Sequence, residues 1–175
     1  MTVLVGQSSN SGINSGHSIA TNSRVLWGTF TAVATGSAST INIWMQTAGG
    51  AEKYRLGIWN ASTFAPISQT SELNPSSGVS FFASGSISAS IVSGTSYILG
   101  IFASNTTSTN NIFYFTDSGV TGTNLDDSGG PSGYPVQPTL NAAVQGTTGN
   151  MAIYIDGVVS VAPTPAMGLF IGSYQ

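Results

Sequence analysis

Charge is what this sequence has least of. Among 175 residues there are three Lys or Arg, six Asp or Glu and one His, so charged residues make up 5%, where a soluble domain carries about 25%. Three basic residues build no phosphate-binding footprint, and no nucleic-acid partner is expected. A formal net charge of −3 also means that copies of the chain repel one another weakly. Cysteine is absent, which excludes disulfides and thiolate metal sites and leaves the redox compartment open. No apolar run approaches the ~18 residues of a membrane span, so no membrane insertion is expected. The opening MTVLVGQSSNSG has neither a basic n-region nor a long apolar core, so no secretory signal is expected in this chain. An apolar pattern at helical spacing never outlasts one turn.

In place of charge there are Ser, Thr, Asn and Gly, and hydrophobic residues still amount to 41%. That is too apolar for a disordered polar tract, and the length suits one domain. What repeats is alternation. In INIWMQ, Ile41, Ile43 and Met45 alternate with Asn42, Trp44 and Gln46. In KYRLGIWN, Tyr54, Leu56 and Ile58 alternate with Lys53, Arg55 and Trp59. This is the period of half-buried strands. With Gly49 and Gly50 as the centre of a tight turn, the two runs form a hairpin in which Met45 opposes Tyr54, Ile43 opposes Leu56 and Ile41 opposes Ile58. Trp44 then opposes Arg55 on the other face, and Thr40 opposes Trp59.

Other runs follow the same grammar. Val3 to Val5 reads as a short edge strand, and QSSNSGINSGHS after it as a loop or arm. In RVLWGTFTAVA from Arg24, both faces are partly apolar, as in a strand packed inside a two-sheet sandwich with a second layer or a neighbour outside it. Ile87, Ala89 and Ile91 precede Gly94, and Tyr97, Leu99 and Ile101 follow it. These two runs pair as a hairpin or belong to opposite sheets. NIFYFT at 111–116 is an aromatic strand, and 139–145 and 151–156 make a last pair. Some nine or ten short strands between turn signals predict an all-β antiparallel two-sheet β-sandwich, jelly-roll-like. Its parts are an N-terminal arm with a short strand (1–23), the sandwich (24–156) and a C-terminal arm (157–175).

KYRLGIWNAS from Lys53, the strand at Ile67 to Leu73, SISASIVSGTSYILGIFA from Ser86 and NIFYFTDSG from Asn111, taken in this order, resemble small β-sandwich modules. Such modules occur in bacteriophage tail-fibre, collar and capsid-decoration proteins, and in secreted bacterial surface proteins with carbohydrate-binding-like jelly rolls. The resemblance spans roughly residues 24 to 156 and rests on structural motifs, Arg55 to Trp59 and Ser93 to Tyr97. It implies a virion-surface role, with sugar binding only in some relatives, and it places no ligand residue here.

Catalytic residues are not expected. His17 is the lone histidine, and Glu52, Glu72, Asp117, Asp126, Asp127 and Asp156 are scattered, so nothing organises a nucleophile with its base. No cofactor is expected. Asn124, Asp126 and Asp127 offer oxygens that suit Ca²⁺, or else form an ordinary turn. The irregular 117–139 segment, with three prolines, is a functional loop or a packed surface loop. Trp44, Arg55 and Trp59 form an aromatic platform for sugar rings or a neighbouring subunit, or they pack beneath other chain. Behind Pro163 and Pro165, Met167, Leu169 and Ile171 alternate with Gly168, Phe170 and Gly172. This strand, with Met167, Leu169, Phe170 and Ile171 as assembly residues, completes a neighbour's sheet or folds back on its own core.

The function expected is therefore that of a structural subunit of a virion or extracellular assembly, a phage decoration, collar or fibre-type protein. It would contact copies of itself or other virion proteins, on a virion surface or outside the cell. The rival is a carbohydrate-binding module that meets surface glycans through exposed aromatics.

Overall fold

The structure is a computed structural model that describes residues 1–9, 15–18, 25–47, 53–74, 78–103, 112–117, 125–126, 137, 139–140 and 150–161. Alternating sequence becomes strand throughout: β1 (Thr2–Gly6), β2 (Ser15–Ser18), β3 (Val25–Thr31), β4 (Gly36–Thr47), β5 (Tyr54–Asn60) and β6 (Pro66–Gln69) come first. β7 (Gly78–Ile91), β8 (Ser96–Ala103), β9 (Ile112–Asp117), β10 (Leu125–Asp126), β11 (Asn150–Met151) and β12 (Ile153–Val159) follow. There is no helix among the described residues.

The strands form two antiparallel sheets, as expected of a β-sandwich. The seven-stranded sheet runs β1-β12-β4-β9-β11, with β7 on the other side of β4 and β2 on β9. The five-stranded sheet runs β10-β3-β8-β5-β6. From β3 to β5, and again from β6 to β10, each strand crosses to the opposite sheet, so most partners are distant in sequence.

That crossing overturns the expected hairpin. β4 pairs with β12, β7 and β9, while β5 pairs with β8 and β6. Ile41, Ile43 and Met45 nevertheless share one buried core with Tyr54, Leu56 and Ile58, because they meet across the sandwich rather than along a ladder. For the runs either side of Gly94, the opposite-sheet alternative is the one observed, β7 lying in one sheet and β8 in the other. The turn between them is held by Gly94, with φ at +79°, by Thr95 N–H donating to Val92 O at 3.1 Å and by Val92 N–H donating to the Tyr97 hydroxyl at 3.0 Å.

The N-terminus contributes more than an arm. β1 pairs with β12 and slips by one residue between Val3 and Val5, and both Leu4 and Val5 are fully buried in the core. Within the stretch read as a loop, Ser15–Ser18 is a strand beside β9, where backbone pairing needs no apolar alternation.

A second apolar layer lies outside the five-stranded sheet. Val25, Trp27, Trp59, Ile98, Phe102 and Leu140 cluster there, with Ala61 and Phe64 against them. Trp27 meets Phe64 edge-on, and Trp59 meets Phe102 the same way, each pair at 6.0 Å between ring centroids. This is the outer layer that the two apolar faces of β3 called for.

Candidate functional site: the outer face and open edge of the larger sheet

In β4 and β12, Ile41, Ile43, Ile153 and Ile155 turn into the core, and alternation turns Asn42, Trp44, Tyr154 and Asp156 outward. The register sets Asn42 between Tyr154 and Ser84, and Thr40 between Asp156 and Ser86. Asn42 ties this face together. Its Oδ1 accepts from the Ser84 hydroxyl at 2.5 Å, and its Nδ2 donates to Asp156 Oδ2 at 3.2 Å. Ser39, where β4 slips against both neighbours, donates its hydroxyl to Asp156 O at 3.2 Å. At 6% exposure Asn42 is buried, and these part-buried bonds hold the carboxylate and hydroxyl in place. Burial, and then the Asp156 carboxylate, raise the pKa of Tyr154 above that of an ordinary phenol. Trp44 and Tyr154 are both half-buried. The face thus offers aromatic surface, hydroxyls and one carboxylate, groups that hydrogen-bond and stack against a polyhydroxylated ligand, with the buried Asn42 amide holding two of them from within.

The residues expected to form a platform are not brought together. Trp44 faces out from the larger sheet, whereas Arg55 and Trp59 belong to β5 in the smaller one, with the core between them. Trp44 therefore does not oppose Arg55. Trp59 is 0% exposed in the second layer and presents nothing to a ligand. The Arg55 guanidinium donates to Thr70 O at 3.2 Å. Of the acids, Glu72 pairs with Lys53 at 2.5 Å and Asp156 joins the network above. His17 lies opposite Tyr114 in the β2–β9 ladder. Asp126 lies opposite Leu26, while its candidate Ca²⁺ companions Asn124 and Asp127, like Glu52, fall outside the described residues. So do Met167, Leu169, Phe170 and Ile171. Among the described residues no group of three or more His, Cys, Asp or Glu could hold a metal ion, and no helix is long and apolar enough to cross a membrane.

Asn42, Ser84, Tyr154 and Asp156 were not singled out from sequence. The signal for two of them was there: in IYID, Tyr154 and Asp156 interleave with isoleucines, which marks them as outward. Nothing local announces that Asn42 and Ser84 would join them, since β7 reaches β4 only through the fold.

The second notable feature is an edge. β7 is 14 residues long and pairs with β4 alone. Among the described residues no strand and no backbone hydrogen bond occupies its other side. Ser84, Ser86, Ser88 and Ser90 are exposed along its outer face, and Ala83, Gly85, Ile87 and Ile91 are buried along its inner one. Compared with models of known protein families and with curated proteins, the sequence matches none.

Proposed function

We propose that this protein is a structural, non-catalytic subunit of a virion or extracellular assembly, a jelly-roll-like module of the decoration, collar or fibre type that works by self-association. The observation that carries the reading is the uncharged β7 edge, which no strand occupies among the described residues, on a chain in which 5% of residues are charged. An unpaired strand edge is a template for another chain, and monomers ordinarily guard it with Lys, Pro or a covering segment. Support comes from one end of the sandwich. Val158 and Val161 are 71% and 86% exposed, and Val33 and Val92 are also exposed. They lie around the start of β4, where Gly36 pairs with Val159 and Ile91 and Ser160 N–H donates to Thr35 O at 2.9 Å. Such surface suits contact with copies of the chain or with other particle proteins. Sedimentation velocity over a wide concentration range tests the reading. Oligomers that grow with concentration are expected; a monomer at every concentration overturns it.

The outer face favours a second reading, a carbohydrate-binding module with Trp44 and Tyr154 as stacking surfaces and Ser84 and Asp156, held by Asn42, as hydrogen-bonding groups. Retention on neutral polysaccharide that disappears in Trp44→Ala would support it. Retention that is absent, or unchanged in the variant, would remove it.

A further inference from the structure

The edges of the two sheets are not alike. At β1, the carbonyl of Leu4 already accepts from Val33 N–H at 2.8 Å, so that edge is partly capped. β6 has four residues and begins at Pro66, which brings no N–H. β2 has four residues and β10 two, too few to template a long partner. Among the described residues β7 has none of these devices, and its bulges sit towards its ends. Two residues of β7 stand against one of β4 at Val79–Ser80 and again at Ile87–Ser88, while Phe81 to Ser86 run in unbroken register with Met45 to Thr40. The bulges therefore leave a straight six-residue window between them rather than closing the edge.

We propose that this window pairs with the same window of a second copy, antiparallel about a two-fold axis, so that the larger sheets of two molecules join into one continuous sheet. The inference rests on the self-association reading above and names its interface. Three features select a second copy as the occupant. Pairing about a two-fold axis sets each residue against itself or a near neighbour, so any charge would meet its like; β7 carries no Asp, Glu, Lys, Arg or His. Ser, Ala and Gly fill much of the window, and such small side chains let two sheets meet edge to edge without collision. The buried inner face of Ala83, Gly85 and Ile87 continues across the axis only when outward residues oppose outward ones. That condition, with the limits set by the bulges, places the axis at Ala83 or Ser84.

Because the chain has no cysteine of its own, single substitutions read the interface directly. In the full chain, Ser84→Cys is expected to give a covalent dimer with a short bis-maleimide. Ser90→Cys, displaced from its counterpart by about 40 Å along the paired strands, is expected to give little. Ser84→Lys, which sets like charges against each other, is expected to raise the dissociation constant roughly tenfold or more, and Ser90→Lys to leave it within about twofold. Native-like circular dichroism spectra and cooperative melting would show that both variants fold, with a modest loss of stability in Ser84→Lys, whose parent hydroxyl bonds Asn42. If the chain self-associates but Ser84→Cys links no better than Ser90→Cys, or Ser84→Lys associates like the parent, the β7 interface is wrong and the assembly reading stands. If a second cysteine, at Phe170, captures Ser84→Cys in preference to its own counterpart, the edge belongs to a neighbour's C-terminal segment and the proposal fails. A parent chain that is always monomeric overturns both.

Discussion

The side-chain amide of Gln137 donates from Nε2 to the backbone carbonyl of Ile58 across 2.7 Å, in a buried position. The bond lies next to an irregularity in the ladder. Ile58 stands opposite Ser68, and β5 and β6 slip just beyond it, between Ile58 and Trp59. Gln137→Ala should remove a buried hydrogen bond to that carbonyl and lower unfolding stability by about 1 kcal/mol. Gln137→Glu should cost more, since an ionised carboxylate would face the carbonyl with no proton to offer. Urea denaturation checks both, with the midpoint falling and the slope unchanged.

Alkaline stability should carry the mark of Tyr54. Burial pushes its phenol up to about 12 from an ordinary value of 10, because the anion is disfavoured away from water. A raised pKa in the folded state means that the contribution is fully present below pH ~10 and is lost as pH climbs from about 10 through about 12. Tyr154 is shifted in the same direction, by burial and then by Asp156, and adds to the loss. Unfolding free energy should therefore be flat up to about pH 9 and fall by about 2–3 kcal/mol over the next three units through Tyr54 alone. Tyr54→Phe should shrink that fall by the same amount in a pH series of chemical denaturations.

Asn42 holds the outer face through one donor and one acceptor, to Asp156 and Ser84. Asn42→Ala deletes both bonds and should cost about 1–2 kcal/mol. Asn42→Asp keeps the shape but sets a second carboxylate against Asp156, so at neutral pH its deficit should be larger. The deficit relative to the parent should narrow as pH falls through the carboxylate range near 4, where protonation restores a donor. Equal deficits at pH 7 and pH 4 would show that the two side chains do not sense each other.

Much of the core was legible, and its limit was physical. Alternation told which side chains face inward: Ile41, Ile43 and Met45, and Tyr54, Leu56 and Ile58, are all in one cluster. It could not tell which strand lies beside which. The two sheets of a sandwich share a single core, so a chain that crosses over satisfies the same pattern as one that turns back. Gly49 and Gly50 made the turn-back reading persuasive, and the pairing of Trp44 with Arg55 fell with it. Trp59 takes the packed alternative for a related reason. Being opposite the core face ordinarily means solvent, but here a second layer with Leu140 lies over it. Gln137 comes from a proline-rich stretch without periodicity, where no local signal ties a side chain to a carbonyl far away in sequence.

Gly6 and Gly94 share a backbone requirement and differ in surroundings, which allows the two costs of a side chain to be separated. Both have positive φ, +100° and +79°, where an L-residue is strained. At Gly94 an added Cβ would meet nothing within 4 Å, so Gly94→Ala should cost only the conformational penalty, about 1 kcal/mol. At Gly6 the same atom would run into the carbonyl oxygen of Ile153 and the Cα of Tyr154, the backbone of the strand that β1 pairs with. The clash is with backbone rather than with a flexible side-chain tip, so β1 must move away from β12, and Leu4 and Val5 must leave the core with it. Gly6→Ala should therefore cost several times more, about 3 kcal/mol or beyond, and should expose Thr2–Gly6 to amide exchange well before the rest of the sheet. If hydrogen exchange shows β1 equally protected in both variants, the coupling of the first strand to β12 is weaker than its burial implies.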